Sequence, residues 1–193
     1  IAKRLFMQRF DHPAQPNDPY PVSGTQIAAL RYDTALVLAR LRDAPKMRNG
    51  EDADYLTYRP YSVSWKPEGE DWRQITVPEG FITDLTSVPW FLRWIAGRVG
   101  PWLEAAIVHD YLYVAWQDVP GKRPTREDRR FADDIMLAAM KEAEVRPWLA
   151  WGIHKAVSWF GGRTFDGVNP ERYVSLDDPA LHDQFGFALP RVV

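Results

Sequence analysis

A change in hydrophobic period at Pro89 is the strongest constraint that this sequence places on its fold. Before it, apolar and polar residues alternate in short runs such as YLTYRPYSVSW (55–65) and RQITVPEGFITDL (73–85), which is typical of half-buried β-strands. After it, apolar residues recur at helical spacing. The sequence therefore predicts an α+β fold in which a small N-terminal antiparallel β-sheet is followed by a three- to four-helix unit.

Proline and glycine residues divide the helical half into separate elements. Thr125 and Asp128 are spaced as the capping box of one of them. Another, over 101–118, is apolar almost all round, which predicts that it lies in the interior. The predicted helices cover residues 89–97, 101–118, 125–145 and 147–162.

Three shorter signals concern the β-rich half. The apolar run ALVLARL (35–41) predicts a further strand. The segment KPEGED (66–71) is typical of a hairpin connection. Pro60 indicates an edge strand or a bulge, because proline has no N–H to donate to a neighbouring strand.

A single domain accounts for most of the chain. It is predicted over residues 25–162, with a β-rich part at 25–88 and a helical part at 89–162. Residues 1–24 are rich in proline and lack periodicity, and residues 163–193 are mostly irregular, so both are predicted to be arms. The N-terminal arm either packs on a partner or forms a surface loop.

Composition excludes several classes of protein. The formal net charge of −2 leaves no global basic surface for nucleic acid. The chain has no cysteine, which excludes a disulfide framework, a thiolate metal site and a cysteine nucleophile. No apolar run approaches the roughly 20 residues that span a bilayer. The N-terminal residues IAKRLFMQRF lack the apolar core of a signal peptide, so we expect no secretion by that route.

The stretch IVHDYLY (107–113) places ionisable residues inside the most apolar predicted helix. His109 and Tyr113 are four residues apart and share a helical face, whereas Asp110 is rotated from His109 by about 100°. A buried imidazole needs a hydrogen-bond partner on its second nitrogen. We therefore expect a carboxylate or a carbonyl from another element to meet His109.

That carboxylate is predicted on the following helix, in the sequence ADDIM. Asp134 is four residues from Arg130 on the charged stripe, so it is expected to be a surface residue. Asp133 shares the apolar face, and two antiparallel helices would bring it against His109 and Tyr113. An aspartate that orients a histidine toward a water is a general-base arrangement; the alternative is a buried network that only holds two helices together.

Asp110 is then left for another partner. A carboxylate beside a catalytic base commonly binds a hard cation through oxygen. The segment GFITDLTSVP (80–89) would supply further oxygen ligands, and Asp84 is its candidate metal ligand. The alternative for Asp84 is an Asx-turn or a helix cap.

The motif HDYLY resembles the HDxxY box of the phospholipase A2 superfamily. The spacing of 24 residues from His109 to Asp133, and the pattern RRFADDIMLAAM, are similar to the short bacterial and parvoviral forms. This resemblance implies that His109 is the general base, Asp133 its orienting acid, Tyr113 a brace for Asp133, and Asp110 a calcium ligand. It also implies a phospholipid substrate. The superfamily's glycine-rich calcium loop is not recognisable, and its disulfides are absent.

A second resemblance covers residues 75–162. The pattern GFITDLTSVPWFLR, AAIVHDYLY and ADDIM resembles an uncharacterised family from tailed phages, prophages and gene transfer agents. It implies a location in a virion or in the bacterial cytoplasm, with other virion proteins as partners. Two functions therefore stay open. One is a phage-associated, calcium-using, phospholipase A2-like hydrolase. The other is a non-catalytic structural or assembly protein of a tail, neck or baseplate.

The remaining histidines and tryptophans are expected to be mainly structural. His154 lies among apolar residues and is predicted to be packed or interfacial, whereas His12 and His182 are predicted to be solvated. Core packing is favoured for most tryptophans of the helical half, with a lipid groove or a protein interface as the alternative. These tryptophans are Trp90, Trp94, Trp102, Trp116, Trp148, Trp151 and Trp159.

Overall fold

The described residues form strands in the N-terminal half and helices in the C-terminal half, which confirms the predicted α+β fold. This computed structural model describes residues 18–22, 24–41, 55–83, 100–167, 173–179 and 181. The strands are β1 (Ile27–Tyr32), β2 (Leu38–Arg40), β3 (Tyr55–Thr57), β4 (Tyr61–Pro67), β5 (Arg73–Val77) and β6 (Ile82–Thr83). The helices are α1 (Leu103–Ala115), α2 (Arg126–Glu142), α3 (Pro147–Phe160) and the single turn α4 (Gly162–Phe165).

The strands form two antiparallel sheets, whereas the sequence predicted one. The first has the order β1-β4-β5 and the second the order β2-β3-β6. The predicted strand over 55–65 is divided at Pro60 into β3 and β4, which belong to different sheets. Pro60 therefore lies between two strands, and its assignment to an edge strand or a bulge is wrong. Because its nitrogen carries no hydrogen, it is suited to the point where one ladder ends.

Of two other features of the first sheet, one was predicted from the sequence and one was not. The hairpin connection at 66–71 is confirmed, since β4 and β5 pair in antiparallel register from Tyr61 opposite Val77 to Trp65 opposite Arg73. Strand β1 was not predicted. Its sequence IAALRY buries only Leu30, and its exposed alanines are poor strand formers, so no period of two is visible.

The helices follow the predicted order. Helix α1 is buried along most of its length, as expected from its apolar sequence, and continues as a 3₁₀ turn over Trp116–Asp118. The predicted capping box is present at the start of α2, where Thr125 and Asp128 each accept a hydrogen bond from the other's backbone. The predicted helix over 89–97 lies outside the described residues. Within the described residues, none of the helices has the length and apolar character needed to cross a membrane.

The buried apolar side chains that the structure describes form two hydrophobic cores. The larger core lies between the first sheet and the helices, where the ring of Trp65 on β4 packs 4.9 Å from that of Phe131 on α2. The smaller core lies against the second sheet. It consists of Leu41, Leu56, Ile82, Val174 and Leu181.

Parts of both predicted arms pack into these cores. Tyr20 is buried, its hydroxyl donates to the carbonyl of Leu112, and the backbone N–H of Trp116 donates to the same hydroxyl over 3.1 Å. From the C-terminal arm, the backbone N–H of Val174 donates to the carbonyl of Gly80 over 2.9 Å. An isolated apolar residue in a proline-rich segment gives no periodic signal, so the sequence did not indicate these contacts.

The tryptophans of the helical half divide into two groups. Trp102 and Trp116 are buried, as expected. Core packing, which was favoured for most of these tryptophans, does not hold on α3, where Trp148, Trp151 and Trp159 are 57%, 60% and 75% exposed. Trp90 and Trp94 lie outside the described residues.

Candidate functional site

Helix α1 carries the candidate site inside the protein. Its apolar side chains pack against α2 on one side and the first sheet on another, so the helix has little contact with solvent. His109, near its middle, is only 6% exposed. Polar atoms at such a position need partners within the protein, because burying them without hydrogen bonds is costly.

His109, Tyr113 and Asp133 form one hydrogen-bonded cluster. The His109 Nε2 atom lies 2.9 Å from Asp133 Oδ1, and the Tyr113 hydroxyl donates to the same oxygen over 2.7 Å. Asp133 is 3% exposed and reaches α1 from the apolar face of α2. Its neighbour Asp134 is turned away from α1, with 46% of its side chain exposed. The structure thus places these four residues on the faces that the helical spacing indicates.

The cluster determines the tautomer of the neutral imidazole. An ionised carboxylate can only accept hydrogen bonds, so Nε2 of His109 must carry the hydrogen that is shared with Asp133. In the neutral ring the lone pair then lies on Nδ1. Nδ1 is therefore the atom of His109 that is able to take a proton from a reactant.

Asp110 lies on the Nδ1 side of the ring. Its Oδ1 atom is 3.7 Å from His109 Nδ1, and its Oδ2 atom accepts a hydrogen bond from Thr83 Oγ1 over 2.7 Å. The contact with Thr83 joins Asp110 to the segment 80–89, the expected direction. The proximity to Nδ1 was not expected, since the two side chains were predicted to point apart. Adjacent helical residues still approach each other when their side chains bend toward one another.

The two carboxylates determine the charge of the histidine. Burial disfavours the protonated imidazole, but the carboxylates of Asp110 and Asp133 outweigh that effect and raise the pKa of His109 above 6.5. Burial, and then the negative charge of Asp133, raise the pKa of the Tyr113 hydroxyl. Tyr113 therefore stays protonated and remains a hydrogen-bond donor to Asp133.

The region where α3 meets α4 closes the Tyr113 side of the site. The Phe165 ring packs edge-on against the Tyr113 ring, with centroids 5.2 Å apart. A Cβ at Gly161 would collide with the Tyr113 hydroxyl. The sequence did not assign these residues to the site. Both glycines fall at the end of the helix predicted over 147–162, and no local signal separates a glycine that ends a helix from one that allows a close contact.

Of the two predicted metal ligands, the structure describes Asp110. Asp84, the second predicted ligand, lies outside the described residues. Among those that are described, no group of three or more histidine, aspartate or glutamate side chains is placed to hold a metal ion. Asp110 and the Thr83 hydroxyl together offer a carboxylate and a hydroxyl, whereas calcium takes six to eight oxygen ligands. This described donor set is too small for calcium on its own.

His154 forms the other histidine–aspartate contact of the helical region. Its Nε2 atom lies 3.2 Å from Asp134 Oδ1, between α3 and α2. Asp134 was expected to pair with Arg130 on its own helix, and the structure gives it this histidine as a partner. Both side chains are partly exposed, so the contact borders solvent, unlike that of His109. His12 and His182 lie outside the described residues.

Comparison with known proteins gives one match. Residues 61–157 are similar to a family described as "Protein of unknown function (DUF1353)", and this segment contains His109, Tyr113 and Asp133. No curated protein and no solved structure matches the chain.

Proposed function

The chain belongs to the DUF1353 family of proteins of unknown function, and we propose from the geometry of α1 and α2 that it is a phospholipase A2-like hydrolase. It would cleave a lipid ester with water. One observation carries the proposal: His109 Nε2 lies 2.9 Å from an Asp133 oxygen that Tyr113 also holds, which leaves Nδ1 as a base. The lipid substrate follows from the resemblance of HDYLY and the second-helix pattern to the phospholipase A2 superfamily.

The proposed reaction uses Nδ1 of His109 as a general base and then as a general acid. Nδ1 takes a proton from water while the water oxygen bonds to the ester carbonyl carbon. The tetrahedral intermediate collapses by breaking the bond between that carbon and the alcohol oxygen, and the leaving oxygen takes the proton from Nδ1. The products are a fatty acid and an alcohol. Asp133 keeps the ring in the required tautomer and stabilises its positive charge, while Tyr113 fixes Asp133.

In this proposal Asp110 is a ligand of a calcium ion. A carboxylate is the donor that calcium prefers, and Thr83 Oγ1 adds a second oxygen beside it. Asp84, next in sequence to Thr83, is the proposed further ligand. Such an ion would polarise the ester carbonyl. The steps at His109 Nδ1 are written without it, because the described donors do not complete a calcium site.

Release of fatty acid from mixed phospholipid vesicles tests the function. We expect the purified protein to release fatty acid with calcium present and to stop when a chelator is added. His109→Gln removes the base and should lower the rate by about 10²–10⁴-fold, the usual contribution of general-base catalysis. Asp133→Asn should also lower the rate strongly, because a carboxamide no longer stabilises the charged imidazole.

Asp118→Asn provides the matched control. Asp118 accepts a hydrogen bond from the Tyr173 hydroxyl over 2.7 Å, the same kind of carboxylate–phenol contact as in the site but beyond the end of α1. We expect its rate to stay within about twofold of the wild type. The hydrolase proposal is wrong if the wild type releases no fatty acid, or if folded His109→Gln protein is as active as Asp118→Asn.

The second candidate is a non-catalytic component of a phage or gene-transfer-agent particle. It is favoured by the resemblance of GFITDLTSVPWFLR to phage and transfer-agent sequences, and by three exposed tryptophans on one helix. This function predicts that the protein is found in purified particles by mass spectrometry. Neither wild-type nor variant particles would then release fatty acid, and substitutions of His109 would change only the stability of the protein.

A further inference from the structure

Helix α3 presents an aromatic stripe to solvent. Trp148, Trp151 and Trp159 are 57%, 60% and 75% exposed, and helical geometry places them within an arc of about 80°. The inner face of the helix is fully committed to the core through Leu149, Ala150, Ile153 and Ala156. The tryptophans therefore add nothing to internal packing, although exposing three large aromatic side chains along one line disfavours solubility.

A cationic groove adjoins this stripe. It has a volume of about 800 Å³ and lies between α2, α3 and the residues that precede β1. Its basic residues are Arg126, Arg129, Arg130 and Lys155. Lys155 belongs to both features, since its Nζ atom lies 5.6 Å from the centre of the Trp151 ring.

Basic side chains outnumber acidic ones in the groove, four to three, the acidic ones being Asp133, Asp134 and Glu127. Asp133 is buried and turned toward His109 and Tyr113. Glu127 and Asp134 are therefore the acidic side chains exposed beside the four cations. Helix α3 itself contains no aspartate or glutamate between Pro147 and Phe160. The combined face therefore offers cationic groups beside aromatic rings.

We propose that this face, the tryptophan stripe of α3 together with the adjoining cationic groove, docks the protein onto an anionic phospholipid surface. Tryptophan prefers the boundary between headgroups and acyl chains, and Lys and Arg are attracted to anionic headgroups. The inference rests on the proposed function only in taking lipid as the substrate class. It adds the surface that meets the lipid and the charge that the lipid carries.

A protein partner would be the other occupant for exposed tryptophans, which are also enriched at protein interfaces. Charge favours the lipid surface. The stripe contains Lys155 and no acidic residue, and the groove adds an excess of basic over acidic side chains, whereas the central part of a protein interface is usually depleted of charged residues.

Co-sedimentation with vesicles of ether-linked phospholipids tests the proposal. These lipids have no ester to cleave, so binding is measured without hydrolysis and can fail or succeed independently of the proposed function. We expect the full chain to bind vesicles containing ether-linked phosphatidylglycerol, with a blue shift of tryptophan fluorescence. Binding should be much weaker to pure ether-linked phosphatidylcholine, and it should fall as salt rises from about 0.1 M to about 1 M.

Matched variants separate the two parts of the face. Changing Trp151→Ser and Trp159→Ser together should weaken binding to the anionic vesicles about tenfold or more. Trp72→Ser, which removes a 42% exposed tryptophan between β4 and β5, should leave binding unchanged. Arg126→Gln with Arg130→Gln should weaken anionic binding, whereas Arg40→Gln on β2 should not.

Three results would overturn the proposal. The first is that wild-type protein stays in the supernatant with anionic vesicles. The second is that the stripe variant and Trp72→Ser bind equally well. The third is that the wild type does not bind vesicles and is a dimer by light scattering, whereas the stripe variant is a monomer. This result would assign the stripe to a protein interface.

Discussion

The position of His109 between two carboxylates controls its protonation. Asp133 holds Nε2 through a hydrogen bond of 2.9 Å, and Asp110 lies 3.7 Å from Nδ1. Both negative charges favour the imidazolium, and together they outweigh the effect of burial on its pKa. A proton on Nδ1 blocks its use as a base. Protonation of His109 at low pH therefore removes the proposed general base.

In metal-free protein we expect the His109 ring to titrate above 6.5 when followed by proton NMR. Asp133→Asn should lower that pKa, because it removes a negative charge. The linked effect on stability has a definite sign. A raised pKa gives stability that is fully present below the unfolded pKa of about 6.5 and is lost as pH rises through the folded value.

The free energy of unfolding measures this linkage. The difference between the wild type and His109→Gln, measured with urea, should therefore shrink as pH increases. In the NMR titration, the signal that disappears in His154→Gln belongs to His154, the other described histidine. Titration of His109 below 6.5 would contradict the prediction.

At the scale of elements, the junction of α3 and α4 positions Tyr113. Gly161 has a φ of −72°, so alanine meets no backbone strain there, but its Cβ would collide with the Tyr113 hydroxyl. We expect Gly161→Ala to lower the free energy of unfolding by about 1–3 kcal/mol, the usual effect of overpacking. If the function is hydrolytic, the rate should fall as well, because Tyr113 no longer holds Asp133 in place.

Gly152→Ala is the control for that substitution. Gly152 lies within α3, and a Cβ there would have no neighbour within 4 Å. Alanine is the better helix former, so Gly152→Ala should stabilise the protein by about 0.5–1 kcal/mol. Equal effects of the two substitutions in urea denaturation would show that Gly161 has no special contact.

The elements also show what the sequence is able to predict. Helix α2 was predictable because its capping box and apolar stripe are local, and the same stripe distinguishes Asp133 from Asp134. Other non-local contacts left no such signal. The Tyr20 hydroxyl donates to the carbonyl of Leu112, 92 positions away, and the pairing of β3 with β6 decides that the described strands form two sheets. Neither follows from the spacing of residues within one segment.

At the scale of the whole molecule, the candidate site joins two units of different size. Asp110 and His109 lie on α1 in the larger core, whereas Thr83 belongs to β6 in the second sheet. Among the described residues, the strands of the second sheet have two or three residues each, and the smaller core contains five buried side chains. Little apolar surface is buried there, so the second sheet should open more readily than the first.

Native-state hydrogen exchange tests this difference. We expect the amides of β3, such as Thr57, to exchange through local opening, and those of β4, such as Val63, only through global unfolding. Ile75→Val in the larger core should lower the exchange free energy of β4 by about 0.5–1.5 kcal/mol and leave that of β3 unchanged. Leu56→Ala in the smaller core should lower both, since it destabilises the closed second sheet relative to every open state.

A single cooperative unit would give another pattern. Ile75→Val would then lower the exchange free energy of β3 and β4 by the same amount. If the second sheet does open locally, each opening separates Thr83 from Asp110. The hydrogen bonds that Asp133 makes with His109 and Tyr113 join α1 to α2 and do not involve that sheet, so they should persist through the opening.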